Sequence, residues 1–349
     1  MAFFGVTEEQ IDAVRAIDGA DRIELATLRG KDFQFVIAKG SFAPGDRCLY
    51  LPVDSLLPSS LAERLGVSGK LAGRDKNRVK TVKLRGQISQ GIVADLALVP
   101  DTVRAQGPDA LTAHLGVTKY EPQEILTQGA ILVELPDGLS VYDIEGADRC
   151  VDIAGSLHDV DVLVTEKVEG SNFSVLCRAD GTVTVQQRTK KVVPNDAVEH
   201  TFWAVARRSR AIEFAEHLVR RTPGFDVAVY GEVIGPGIQG NLYKLERHAL
   251  RLFDIKRGGH WLAPDAFLEA VASFYEAPED ILAPVLHKGL LSDWLSGRTI
   301  KQASNGRSKL ADVPREGVVI RPLVERILPD FGRLILKQRS PEYLAKSEA

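Results

Sequence analysis

The sequence predicts an α+β protein of two domains: a small all-β barrel at the N-terminus, then a larger unit mixing strands with flanking helices. Three observations carry this. The chain has 349 residues, enough for two hydrophobic cores. Its first hundred or so residues hold short apolar or alternating runs broken by Gly and Pro. Beyond about residue 140, strand-like runs alternate with amphipathic stretches.

In the N-terminal part, Arg22–Leu28, Gln34–Ala38, Arg47–Leu51 and Arg78–Leu84 read as strands, punctuated by Gly30, Gly40, Pro44-Gly45 and Gly86. Several short strands within residues 1–100 suit an oligonucleotide-binding (OB) barrel. Polar and Pro-bearing residues 101–140 read as a linker. After it, Val160–Val164 forms a short β-branched strand, Asn195 to about Arg221 one long amphipathic helix or a pair, and Pro264 to about Ala277 another helix.

Composition narrows the class. Hydrophobic residues at 44% and charged residues at 26% describe a globular chain rather than a disordered one. A net charge of −3 does not advertise nucleic-acid binding, but charge is unevenly spread. Lys70, Arg74, Lys76, Arg78, Lys80, Lys83 and Arg85 cluster with only Asp75 opposing them, as either a phosphate-tracking segment or a solvated loop and hairpin. Cys48, Cys150 and Cys177 lack metal-binding spacing, which argues against structural zinc and for a reducing compartment. The N-terminus has no basic, apolar leader, and no apolar run approaches the ~20 residues of a membrane span. A cytoplasmic protein without a membrane association is expected, and no protein partner is inferable.

The most informative stretch is Thr165-Glu166-Lys167-Val168-Glu169-Gly170-Ser171-Asn172, which sets a lysine in a polar turn after an apolar strand. Gly170 is expected to allow the bend. A lysine amine is a nucleophile only when neutral, and an ordinary lysine pKa of ~10.4 leaves few neutral molecules at pH 7. Burial or a neighbouring cation can change that balance. Alone, Lys-x-x-Gly says little: Lys70, Lys83 and Lys256 open similar strings.

Four polar clusters follow in order. Phe225–Glu232 is an apolar run ending in Tyr230, Gly231 and Glu232, with Gly235, Gly237 and Gly240 close behind. Arg251–Ile255 carries Phe253 beside Asp254. Glu316 opens the run Gly317–Arg321. Leu334–Arg339 places Lys337 and Arg339 on one face by the period of two. Singly, Glu232 and Glu316 read as ordinary strand-end acids, Phe253 as a core residue, and Lys337 with Arg339 as edge protection.

In this order the clusters resemble the covalent nucleotidyltransferase superfamily, which holds ATP-dependent DNA and RNA ligases and mRNA-capping guanylyltransferases. The likeness is closest to RNA ligase 2-like enzymes, whose nucleophile motif reads Glu-Lys-x-(His/Asp)-Gly-(Ser/Thr)-Asn-Phe. Here it reads Glu166-Lys167-Val168-Glu169-Gly170-Ser171-Asn172-Phe173. The Gly231-Glu232…Gly235-Pro236-Gly237-Ile238-Gln239 string resembles that branch too, as do Leu115–Pro122 and Val141–Gly146 for its connecting region. Two positions depart from the pattern: Glu169 replaces Asp or His, and Arg339 replaces a second lysine. Only about ten residues follow Arg339, which favours the branch whose OB-fold domain precedes the catalytic domain.

The resemblance implies a nucleotidyltransferase (ATP-grasp-like ligase) domain of antiparallel sheets with flanking helices over residues 141–349. It implies a covalent lysyl–AMP at Lys167, formed from ATP with Mg²⁺ or Mn²⁺. Glu166, Asn172, Glu232, Phe253 and Lys337 would contact the nucleotide, with Phe253 stacking on adenine. Lys337, Arg339 and Arg188 would engage phosphates. Glu169, Glu232 and Glu316 would hold metal directly or through water. The implied substrate is a nicked duplex containing RNA. Two other readings stay open: a GTP-using capping-type guanylyltransferase, and a nucleic-acid-binding repair factor without turnover.

Overall fold

The computed structural model describes residues 4–121, 130–195, 197 and 199–346. These residues fall into two compact units, one formed by 4–121, 147–154 and 344–346, the other by 130–146 and 155–343.

The N-terminal unit is built on a five-stranded antiparallel sheet in the order Gln34–Ala38, Ile23–Leu28, Thr7–Ala16, Arg47–Leu51, Ile92–Ala94. A hairpin of Thr81–Leu84 and Gln87–Gln90 bridges toward its open edge: Ser89 Oγ accepts from Val36 N at 2.9 Å, and Gln34 Nε2 donates to Ile88 O at 3.1 Å. The sheet is thereby curled into the expected barrel. Arg47–Leu51 is buried on both faces, with Cys48 and Tyr50 in the barrel interior and Leu49 and Leu51 in a second core.

That second core corrects the linker expectation for 101–140. Helices Asp101–Arg104 and Pro108–His114 bury Leu111, Leu115 and Val117 against Leu49, Leu51 and Leu57. Ile131–Glu134 is the outer strand of a sheet in the other unit. Residues 122–129 lie outside the described residues.

The described residues of the larger unit form two large sheets and a two-stranded ribbon, Ile327–Leu328 with Gly332–Arg333. The first is antiparallel and seven-stranded: Ile131–Glu134, Lys190–Val193, Val183–Gln186, Ser171–Cys177, Val227–Ile234, Ala249–Arg257, His260–Trp261. Period-two alternation sends Phe173, Val175, Val227 and Val229 to one face, where helices Thr201–Arg208, Ala211–Arg221 and Pro264–Ala272 bury Phe202, Phe214 and Phe267 against them. Within the expected helical stretch, Thr201–Arg208 and Ala211–Arg221 form a helix pair, broken at Arg210 with φ 59°. Ala228, Tyr230 and Glu232 take the opposite face.

The second sheet is five-stranded: Glu145–Gly146, Leu336–Arg339, Gly317–Pro322, Asp161–Lys167, Val285–Leu290, antiparallel except for the first pair. Arg321 ties the two sheets together: its guanidinium donates to Phe253 O at 3.1 Å and Leu262 O at 2.9 Å, and pairs with buried Asp254 at 3.2 Å. Asp254 also accepts from Tyr142 Oη at 2.8 Å and Arg333 Nη1 at 2.5 Å. A carboxylate with no exposure, satisfied by two guanidiniums and a phenol, thus pins the two sheets together.

Candidate active site

Strand registers assemble the site. Lys167 pairs with Gly317, and Gly317 pairs with Arg339; one step back, Thr165, Val319 and Lys337 form the next row. Cross-strand partners share a face, so Lys167, Lys337 and Arg339 project to the same side of the sheet. Gly317 permits this close approach, because a Cβ there would meet Gln338 O at 2.1 Å and Arg339 Cα at 2.9 Å. Gly170 has a related reason. It does not sit at positive φ; instead a Cβ would lie 2.4 Å from Val233 O and 2.6 Å from Glu232 Cγ. The expected bend is therefore a position where the Glu232 strand presses against the turn after Lys167.

Lys167 Nζ sits 2.6 Å from Glu316 Oε2, a close ion pair lacking hydrogen-bond alignment. Glu232, opposite Asn172 in the neighbouring strand, is pushed up to about 8, chiefly by burial. Lys167 and Arg188 oppose that rise and Glu316 adds to it, so these four side chains share one electrostatic environment. Glu169 is also raised by burial, with Glu316 adding. The Tyr343 hydroxyl donates to Glu169 Oε2, and the Glu169 amide donates to Tyr243 Oη at 2.8 Å. Tyr343 follows the last strand, in helix Pro341–Lys346.

Three carboxylates beside one ammonium make an all-oxygen donor set suited to Mg²⁺ or Mn²⁺. Among the described residues no three such side chains converge closely enough to chelate one ion directly. The arrangement fits a metal that keeps most of its water and meets the protein through it.

Of the other expected residues, Arg188 and Lys337 approach Asp143 from two sides, 3.6 Å from Oδ2 and Oδ1 respectively. Phe253 is half-buried, packs on Tyr142 at a centroid separation of 4.9 Å, and lies against a cluster containing Val168, Ile234 and Ala283. An apolar wall thus begins one residue past Lys167. Glu166 is not brought into the group. It lies on the opposite face of its strand, 1% exposed, accepting from Ser308 Oγ and, at 2.9 Å, from Lys309 N. Burial raises its pKa while these donors oppose the rise.

Sequence reasoning missed Asp143, Tyr343 and Tyr243 as parts of the site. Asp143 stood inside the recognised Val141–Gly146 string, which was its only signal. In the N-terminal unit, Arg78 leaves the basic cluster: it pairs with Asp54 at 2.6 Å and lies 3.5 Å over the Tyr120 ring. Lys70, Arg74, Lys76, Lys83 and Arg85 are exposed. No helix among the described residues is long and apolar enough to cross a membrane.

Comparison with known proteins shows which proteins the chain is similar to. A family model described as RNA ligase matches residues 160–339, and an OB-fold domain model matches residues 5–96. A search against curated protein sequences returned no match. Solved structures of a Naegleria gruberi RNA ligase are similar over nearly the whole chain. One, with pyrophosphate, has a TM-score of 0.80 at 28% identity, covering 99% of both chains. A mutant with ATP and Mn gives 0.79 at 29% identity, and another with AMP and Mn gives 0.79 at 27%, each covering 98% of both chains. With the matched model spanning the Lys167, Glu232, Glu316 and Lys337 strands and more than half of the sequence, the chain belongs to the RNA ligase family.

Proposed function

We propose that this RNA ligase uses ATP and a divalent metal to seal 3′-OH/5′-phosphate nicks in RNA-containing duplexes through a covalent lysyl–AMP. The observation that carries the reading is the shared face of Lys167, Lys337 and Arg339, with Glu316 2.6 Å from the Lys167 amine. Use of ATP and metal is supported by the similar Naegleria gruberi enzyme, whose structures contain ATP, AMP, Mn and pyrophosphate.

In the first step the Lys167 amine attacks the α-phosphorus of ATP, forming a phosphoramidate and expelling pyrophosphate. The amine must lose a proton, and Glu316 is an adjacent acceptor. Phe253 and Val168 supply an apolar wall for adenine, and the Glu232–Asn172 pair faces the remainder of the nucleotide. Arg188, Lys337 and Arg339 offset phosphate charge, which is most of what phosphoryl transfer asks of a protein. Glu169, Glu232 and Glu316 would hold a Mg²⁺ or Mn²⁺ through water, which would supply further neutralisation of phosphate charge. Glu166 acts from behind, anchoring the Lys167 strand to Ser308 and Lys309. AMP then passes to a 5′-phosphate, and a 3′-OH attacks that phosphorus to release AMP.

The direct test is a panel of nicked duplexes with ribose placed on either side of the break. Sealing of RNA-containing nicks with ATP, lost in Lys167→Ala, is expected. Absence of sealing on every member would refute the nick assignment.

A further inference from the structure

Asp143 stands between two cations of the site and is held there from both sides. The residue before it, Tyr142, is anchored by its hydroxyl on Asp254 at 2.8 Å and by its ring against Phe253, Tyr230 and Trp261. Just after it, Glu145–Gly146 runs parallel to Leu336–Arg339, with Gly146 opposite Lys337. Asp143 Oδ1 accepts from Ile144 N at 3.1 Å and lies 3.6 Å from Lys337 Nζ, while Oδ2 lies 3.6 Å from Arg188 Nη2. Its side chain is 13% exposed, against 27% for Arg188 and 30% for Lys337, so the carboxylate sits behind the two cations.

The geometry points to Asp143 as a positioning residue that holds Arg188 and Lys337 together while cancelling part of their charge, and so limits how tightly the site retains pyrophosphate. This rests on the reading of Arg188 and Lys337 as phosphate contacts. A carboxylate fixed by its neighbours does not leave when a ligand arrives, so it opposes every anion bound in front of it. Coulomb repulsion grows with the ligand's charge, and the pyrophosphate product carries more of it than the single phosphate left on Lys167. Release of that product is thereby favoured, and reversal of lysyl–AMP formation is suppressed. In that reversal the P–N bond to Lys167 breaks as a pyrophosphate oxygen bonds to the α-phosphorus, regenerating ATP and the free amine.

The test uses full-length enzyme, adenylylated on Lys167 and then exposed to inorganic pyrophosphate with Mg²⁺, with loss of the adduct followed against pyrophosphate concentration. Asp143→Asn keeps the acceptor for Ile144 N and removes the charge. Its half-saturating pyrophosphate concentration should fall roughly three- to ten-fold, the scale of one half-buried ion pair. Asp143→Ser, used if the Asn protein melts early, should fall likewise. Arg188→Ala should move the same value upward. Unchanged or weaker pyrophosphate binding in the Asp143 variants, with Arg188→Ala weakened as expected, overturns the inference and leaves the site reading intact. No change in Arg188→Ala removes the phosphate reading itself, and the inference with it.

Discussion

Replacing Gly170 with alanine is the smallest change that strikes the site through packing alone. The added Cβ would lie 2.4 Å from Val233 O, 2.6 Å from Glu232 Cγ and 2.9 Å from Ile234 Cγ2. The first is a backbone oxygen in a strand paired to Ser171–Cys177, so it cannot rotate away as a side chain would. The turn must move outward instead. Overpacking of this kind costs about 1–3 kcal/mol of stability. The movement also separates Lys167 from Glu232, and a misplacement of about 1 Å at a reacting group can cost on the order of a hundred-fold in rate. Denaturant melts and the rate of adduct formation from labelled ATP read the two effects separately. Gly155→Ala is the internal comparison: no atom lies within 4 Å of its Cβ and it ends a short helix, so stability should hold or rise. A Gly170→Ala protein with unchanged stability and unchanged adduct rate would refute the close-approach argument.

Glu232 holds a proton in the folded state that the unfolded chain releases once pH passes the ordinary glutamate value, so stability contributed below that value is lost as pH rises toward about 8. Thermal melts of ligand-free protein should therefore decline between about pH 5 and pH 8, by about 1–2 kcal/mol after solvent screening. Glu232→Gln should flatten the decline, whereas an unaltered slope counts against the assignment. Tyr343→Phe removes a donor to the Glu169 carboxylate and should raise the Mg²⁺ concentration needed for half-maximal adduct formation several-fold, at a stability cost of about 1–3 kcal/mol. If metal dependence is untouched, Tyr343 does not position Glu169. Asp254→Ala removes the fully buried acceptor shared by Tyr142, Arg321 and Arg333, leaves both guanidiniums paired to Glu325, and should cost about 3–5 kcal/mol in a chemical melt. Asp254→Ala melting like the parent would mean that the clamp between the sheets contributes little.

The strands of the catalytic unit were legible because β-branched runs ending in a charged residue are both a local propensity and a boundary. Asp161–Lys167 and Gly317–Pro322 appear where such runs occur, and Leu336–Arg339 continues the apolar run Leu334–Leu336 into its charged residues. Period-two alternation also held Lys337 and Arg339 to one face. The same rule places Glu166 opposite Lys167, which weight on the motif obscured. What could not be read was pairing between distant segments. Asp143 reaches Lys337 through a two-residue parallel strand, and Tyr343 reaches Glu169 across 174 positions of sequence. Neither contact leaves a periodic trace. The stretch 101–140 looked like a linker because its helices are short and its apolar residues sparse, yet Leu111, Leu115 and Val117 suffice to dock them on a sheet already buried on its other face.

The central claim is that Lys167 bonds covalently to AMP, and peptide mapping of protein incubated with labelled ATP and Mg²⁺ tests it most directly. One adduct on Lys167, reversed by pyrophosphate and missing from Lys167→Ala, is the predicted result. Label on a different residue, or label that persists in Lys167→Ala, would contradict the account.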